Sequence, residues 1–538
     1  MAKPLFRQEI NMLTFFVIVP VLIAVLLYML STHKVAKFIA VFFQSALAVF
    51  AFFLVLSIHS EELTIFVGTY DDVMGIILYA DALAAAFVLL TTFIFLLVSI
   101  YTLNQKESRT FWFLLFLLEA ALIGLFFTRD LFNVFVLAEV STVVIAVLLM
   151  YDRGKRSMFF GMVFLMLSVI AMQFYLLGLG YVYMMTGAMD MAYVAERITN
   201  MTRSELALPY ALIMTTIGFK CALVPFFSWT PKVRVYPQAP TAVMAILSGL
   251  QIKSAIYLLL RFQGIFGVGA SSELFLIIGI AAGLFGAFMA ICQTDIRMIL
   301  AYHTISQVGL IIIGINSGSY YSYIGGMYHI VSHAMFKTTL FLSAGIIVHS
   351  YGTGDAYKIR GVLKRMPLVA IGSIAAVLGI TGAPLFIGSI SKYFIAYDVP
   401  PLLNAATIII SLGTIISFIK YSYIFFGDSD LVGDIPVAER SRTIPTLILG
   451  VICLIGGVFG IWFIEFLFHT KVSISLIGYI QKSLIFAASV LAGLFIYKRF
   501  VKGNAFLVRF GAINFGFKAV CFSMSAFFAV ILITVAFL

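Results

Sequence analysis

Apolar residues run along this chain in blocks of about twenty, with polar residues gathered between them. A helix needs ~20 apolar residues to cross the hydrocarbon of a bilayer. On that measure the pattern predicts sixteen spans, at 12–30, 36–58, 75–101, 111–128, 131–151, 157–185, 207–230, 238–262, 273–292, 296–316, 321–349, 367–397, 402–426, 443–468, 477–497 and 515–538. The segments at 157–185, 321–349 and 367–397 are long enough to tilt or break. Two connections are long. Residues 186–206 carry Asp190, Glu196, Arg197, Arg203 and Glu205 and predict an outer loop with a short surface helix. Residues 427–442 hold Asp428, Asp430, Asp434, Glu439, Arg440 and Arg442 and predict a cytoplasmic loop. Neither is long enough to form a domain.

Composition agrees with this picture. Charged residues are 11% of the chain and hydrophobic ones 63%, against ~25% charged in a soluble domain. A soluble enzyme is excluded, and an all-α polytopic membrane protein is expected. The net charge of +11 is spread over loops, so it is a topology signal and not a nucleic-acid patch. The odd-numbered loops are basic, with Lys34 and Lys37, Lys106 and Arg109, Arg153, Lys155 and Arg156, Lys232 and Arg234, Lys358, Arg360, Lys364 and Arg365, and Lys498, Arg499 and Lys502. The second loop carries Glu61, Glu62, Asp71 and Asp72 instead. By the positive-inside rule the odd loops face the cytoplasm of a prokaryotic cell, with the inner membrane as the expected location, and both termini lie outside. That requires an even number of spans: sixteen, or fourteen if the last apolar pair is misread. Met1, Lys3 and Arg7 precede an apolar run without a small-residue cleavage site, which reads as a retained first helix.

The chemistry available is narrow. Cys221, Cys292, Cys453 and Cys521 are scattered in apolar runs, so no metal or iron–sulfur site in this chain is expected. There is no GxxxxGK[ST] and no GxGxxG between a strand and a helix, which argues against ATP-driven transport by this chain alone. What remains is a set of ionisable residues inside the spans, each costly there and so a functional candidate. These are Glu119, Glu139, Lys220, Lys253, His303, His329, His333, Lys337 and Lys392. Bland readings stand beside some of them: a hydrogen-bonded packing residue for His303, a structural acid for Glu119, and a side chain snorkelling to the headgroups for Lys392. Glu139, Lys220 and Lys253 sit too deep in their spans for that. His329, His333 and Lys337 recur at i, i+4, i+8, which puts all three on one helix face. Facing a bundle interior, they form a relay of protonatable groups.

Two spans carry helix breakers beside a lysine. The seventh reads GFKCALVPFFSWTPKV, with Lys220 ahead of Pro225 and Pro231. The twelfth reads LGITGAPLFIGSISKYF, with Pro384 among Gly379, Gly382 and Gly388, and Lys392 after it. They lie five spans apart, so five-helix units of opposite orientation follow, with the order of Lys and Pro reversed between them. Interrupted helices at matching positions of inverted repeats point to an ion site. The expected organisation is therefore N-terminal helices over 1–110, a first repeat over 111–262, a second over 273–426 and C-terminal helices over 443–538.

Here the residues resemble a known family. GFKCALVPFFSWTPKV with YPQAPTAVMAILSGLQIKSAIYLLLR, then TDIRMILAYHTISQVGLIIIGI, HIVSHAMFKTTLFLSAG and GITGAPLFIGSISKYFI, are similar in order to the proton-conducting antiporter-like subunits of complex I, membrane-bound hydrogenases and Mrp cation/proton antiporters. The resemblance covers roughly residues 75–430, and AYHTISQVG resembles most the branch formed by the D-type proteins of Mrp antiporters and by the hydrogenases. It implies that Glu139 and Lys220 are the charged pair of one half-channel. Lys253 becomes the central relay lysine, His329, His333 and Lys337 the relay on the eleventh span, and Lys392 the exit. It also implies a fourteen-helix core with the last two spans as an extension, too short for a long lateral helix. Phe227, Lys232 and Arg234 stand where the family usually has His, a carboxylate and a second His, so a protonatable link and an acidic partner are missing there.

The function expected is ion translocation by one subunit of a hetero-oligomeric membrane complex, not catalysis by this chain. Protons are the transported species, with Na+ as the exchanged ion under an antiporter reading. Under a hydrogenase or complex I reading, iron–sulfur or other redox centres belong to partner subunits. A stand-alone cation/proton transporter is the main alternative. A membrane enzyme acting on lipid or glycan fits poorly, because the intramembrane histidines keep company with lysines and not carboxylates.

Overall fold

A computed structural model describes residues 6–30, 34–58, 62–67, 76–105, 107–152, 154–226, 239–267, 272–428, 439–513 and 516–537. Their helices form sixteen successive segments along the apolar blocks. In order they are Phe6–Leu30, Lys34–Ser57, Ala82–Thr102, Arg109–Phe127, Leu131–Leu149, Lys155–Thr186, Arg203–Lys220, Thr241–Phe266, Ser272–Cys292, Ile296–Asn316, Tyr320–Tyr351, Pro367–Thr381 with Ile387–Ile395, Pro401–Phe425, Arg440–Val458 with Gly460–Phe468, Leu476–Val501 and Phe517–Phe537. Fourteen contain a helix long and apolar enough to cross by itself. The other two are the seventh and the twelfth, the spans with the helix breakers.

Several expectations change on contact with the backbone. The sixth and eleventh spans do not break: each is one unbroken helix of 32 residues. The fourteenth does break, at Phe459, where it passes close to the twelfth. A Cβ on Gly457 would fall against the Leu385 and Phe386 backbone, so only glycine permits that approach. The third span does not start at 75. Strand β2, Ile76–Ala80, pairs antiparallel with β1, Leu63–Val67, and the helix begins after Asp81, whose carboxylate accepts the Ala84 N–H. Arg261 at the end of the eighth span grips the same carboxylate through two nitrogens at 2.6 and 2.7 Å. The surface helix in the sixth connection is Met191–Ile198. Most of the 427–442 connection, and Phe227, Pro231, Lys232 and Arg234, lie outside the described residues. Among the described residues between the last two spans there is one seven-residue helix, Ala505–Gly511.

The first and second repeats correspond at one constant offset. The two 32-residue helices both end at a left-handed glycine, Gly187 and Gly352. Asp130, the N-cap of the fifth span, bridges to Asp190, and Asp295, the N-cap of the tenth, bridges to Asp355. The first bridge joins even-numbered loops and the second joins odd-numbered ones, so the two units lie inverted in the membrane.

Packing inside the repeats depends on small residues. The ninth and tenth spans meet through Gly279, Gly283 and Gly286 on one side and Gly309 on the other. A Cβ on Gly309 would fall against Gly283 N and 2.6 Å from the Gly279 carbonyl oxygen. Both are backbone atoms, so no rotamer relieves the clash, and close backbone approach is how membrane helices gain contact without a hydrophobic drive. Gly309→Ala should therefore lower stability by ~1–3 kcal/mol, the range of overpacked cores. Thermal unfolding in detergent checks this, with Gly264→Ala, where nothing lies within 4 Å, as a substitution that leaves the midpoint near wild type.

Candidate functional site

The eighth span explains how a lysine is held in the middle of the protein. Its helix widens into a π turn over Leu247–Gln251, which releases carbonyls from the regular ladder. Lys253 uses one of them: its Nζ donates to the Ser248 carbonyl at 2.5 Å. The same nitrogen lies 2.5 Å from His333 Nδ1. When Lys253 is an ammonium it can only donate, so Nδ1 is then the bare nitrogen and the ring proton of a neutral His333 sits on Nε2. That Nε2 is buried and has no protein partner among the described residues. Lys253 and His333 are both fully buried.

The eleventh span carries the line onward. His329, His333 and Lys337 all face the interior, each with no exposed surface. His329 Nδ1 lies 2.8 Å from Ser391 Oγ, and its Nε2 lies 3.2 Å from Gln307 Oε1. The Gln307 amide nitrogen then donates to Thr414 Oγ1 at 3.4 Å. Lys337 Nζ donates to the Leu300 carbonyl and lies 5.8 Å from the centre of the Phe341 ring.

Lys392 follows Ser391 on the second half of the twelfth span. Its ammonium turns inward, onto the carbonyls of Ile380 (2.8 Å) and Thr381 (3.3 Å), and not toward the headgroups. Those carbonyls end the first half of the broken span, the negative end of a helix dipole. Pro384 lies in the break, between Gly382 and Leu385, both with positive φ.

In the first repeat, Lys220 is the last helical residue of the seventh span, and the turn over 221–226 holds Pro225. The helix stops five residues before that proline. Ala222, with φ of 58°, redirects the chain. Lys220 Nζ donates to Thr142 Oγ1 at 2.9 Å and to the Ala138 carbonyl at 3.4 Å. Glu139, half-buried between them in sequence, couples electrostatically to Lys220, and its Oε1 is buried without a partner among the described residues. Within the same repeat, the Lys220 and Lys253 sides meet where Gln251 of the π turn donates to Ser141 Oγ at 3.3 Å.

The structure thus gathers Glu139, Lys220, Lys253, His329, His333, Lys337 and Lys392 around one interior line. His303 flanks it. Its Nε2 lies 2.5 Å from Ser417 Oγ, its ring lies 4.8 Å from Phe418, and its neighbour Thr304 bonds Ser248. Glu119 is elsewhere. It is buried among the second, third and fourth spans, with Gln44 donating to it at 2.5 Å.

Sequence reasoning missed the neutral links Thr142, Ser248, Gln251, Gln307 and Ser391, and the buried Lys420. Lys420 donates to the Ala290, Ile291 and Gln293 carbonyls at the end of the ninth span. A signal for part of this was present. Thr407, Ser411, Thr414, Ser417 and Lys420 recur every three or four residues, one polar stripe on the thirteenth span.

Residues 128–419, more than half of the chain, match the family model described as NADH:quinone oxidoreductase/Mrp antiporter, transmembrane. The N subunit of the NADH-quinone oxidoreductase of Desulforudis audaxviator is 33% identical over 350 residues, 63% of this chain and 69% of that one. The D subunit of the Na(+)/H(+) antiporter of Alkalihalophilus pseudofirmus is 28% identical over 433 residues, 77% of this chain and 87% of that one. A chain of the Mrp complex from Dietzia superposes with a TM-score of 0.78 at 23% identity, over 90% of this chain and 99% of that one. The chain is a multi-pass membrane protein that belongs to the NADH:quinone oxidoreductase/Mrp antiporter family.

Proposed function

We propose that this chain is the ion-translocating, antiporter-like subunit of a multisubunit membrane complex and carries protons along its buried lysines and histidines. The observation that supports this best is the Lys253–His333 contact at 2.5 Å in a fully buried setting. A lysine facing an imidazole and a backbone carbonyl, with no carboxylate, can exist as ammonium or as amine without stranding an opposite charge. That makes it a carrier and not half of a fixed ion pair.

The steps follow from the partners. Glu139 stabilises the charge on Lys220 at the entry side. A rearrangement in a neighbouring subunit that draws Glu139 away removes that stabilisation, and the proton moves past Thr142, Ser141 and Gln251 to Lys253. His333 takes it on Nδ1 and can release one from Nε2. His329 and Ser391 pass it to Lys392, which opens to the face of the even-numbered loops. With the basic odd loops in the cytoplasm, that face is the outer one and both termini lie there. The relatives leave two sources of drive. An Mrp-type complex exchanges Na+ or another cation for H+, whereas a redox-driven complex holds its iron–sulfur or other redox centres in partner subunits.

The test is proton movement by the assembled complex in proteoliposomes, followed with an internal pH dye. Lys253→Arg should keep the charge and the complex but lower the rate at least ~100-fold, because arginine does not release its proton. His333→Gln should retain a hydrogen bond and lose the relay, with a similar drop. Wild-type rates in both would end the proposal. Glu139→Gln should slow turnover about tenfold while assembly on a native gel is unchanged, since it removes the nearby negative charge that favours the Lys220 ammonium.

A further inference from the structure

The fifteenth span lies outside the family match at 128–419, yet it closes the Lys392 end of the polar line. A cavity of about 90 Å³ opens between the twelfth, thirteenth and fifteenth spans. That is room for several waters. It is lined by Lys392, Ser389, Thr407, Ser411, Tyr479 and Lys482 among others, and none of its lining residues is acidic. Tyr479 is built into the helix break. Its hydroxyl accepts the Leu385 N–H at 3.0 Å and lies 3.0 Å from Ser389 Oγ. Lys482, one turn further along the same helix, is half-buried and donates to Asn404 Oδ1 at 3.1 Å. Both lie within the first two turns of the fifteenth span, on the side of the even-numbered loops.

We propose that Lys482 is the terminal proton carrier, standing between Lys392 and the aqueous face, with the Tyr479 and Ser389 hydroxyls as the bridge. This rests on the proton-relay reading above. Lys482 first gives a proton to bulk water and becomes an amine. A proton then leaves Lys392 Nζ, passes along the hydroxyls and cavity water, and forms a new N–H bond on Lys482. Lys392 is left as an amine, held on the Ile380 and Thr381 carbonyls and ready for the next proton. The number of protons is conserved and no other reactant is needed. The competing reading is that Lys482 only anchors the helix by reaching toward lipid headgroups, a role that any long cation fills.

Variants of the whole complex in proteoliposomes separate these. Lys482→Gln should lower proton translocation about a hundredfold, within the range of a lost acid–base group. Lys482→Arg should fail to restore it, and Tyr479→Phe should slow it with normal assembly. A wild-type rate in Lys482→Gln, or full rescue by Lys482→Arg, overturns the proposal in favour of an anchor. Lys392→Ala measured alongside tells the two levels apart. If it is inactive while the Lys482 variants are normal, only the terminal carrier is wrong. If Lys392→Ala itself translocates normally, the relay reading is wrong.

Discussion

The constraint on which this structure depends is that a charge inside a bilayer must be met by dipoles that the surrounding hydrocarbon cannot supply. This protein meets its buried ammonium groups mostly with backbone carbonyls. Lys253 rests on the Ser248 carbonyl freed by the π turn, and Lys392 on the Ile380 and Thr381 carbonyls freed by the break. Lys337 rests on Leu300, Lys420 on the end of the ninth span, and Lys220 partly on Ala138. For Lys253 and Lys392 the interruptions in the helices thus supply the solvation shell. A carbonyl stabilises an ammonium but carries no charge of its own. When the lysine loses its proton, the carbonyl is left as an ordinary buried acceptor and not as an isolated anion, which would cost far more.

This division of labour explains what could be read from the sequence. Charged residues in apolar runs are conspicuous, so the lysines, the histidines and Glu139 stand out against hydrocarbon. Proline and glycine mark the breaks in the seventh and twelfth spans. The π turn in the eighth is not visible, because LSGLQ contains nothing that forbids an ordinary helix. The widening answers tertiary packing, with Gly249 close against Thr338. The neutral links are hidden for another reason. Ser, Thr and Gln are common in membrane helices, where most bond back to their own backbone, as Thr91 and Thr102 do here. Only contact across helices distinguishes Ser391 or Gln307 from these. The hairpin before the third span escapes a reading by hydropathy because its five-residue second strand adjoins the helix with only Asp81 between them.

The same logic separates His303 and Glu119 from the relay. Both are buried, and both are candidates in the sequence for the same reason. His303 sits beside Thr304, which touches the centre through Ser248, so it can influence the line from its side. Glu119 is held by Gln44, whose amide also donates to the Thr92 carbonyl. Burial selects groups that are expensive, and connection through hydrogen bonds selects those that can exchange a proton. The second criterion needs coordinates.

One link on the line differs in kind from the others. Hydroxyls and imidazoles can accept a proton on one side and release another from the opposite side. The Gln251 amide, which joins the Lys220 half to the Lys253 half, cannot readily do that: its nitrogen only donates and its oxygen only accepts. Its Oε1 is buried with no partner among the described residues, while its Nε2 holds Ser141 at the long distance of 3.3 Å. On the proposed relay, a proton crossing here must travel by water or wait for the amide to turn. Gln251 also lies in the π turn, the segment of the eighth span whose hydrogen-bond ladder is least regular and least costly to rearrange. On the proposed relay, this junction between the Lys220 and Lys253 sides of the first repeat is therefore the place where conduction can be interrupted. A signal that moves Glu139 on one side of it reaches Lys253 on the other through a group that transmits orientation more easily than it transmits protons.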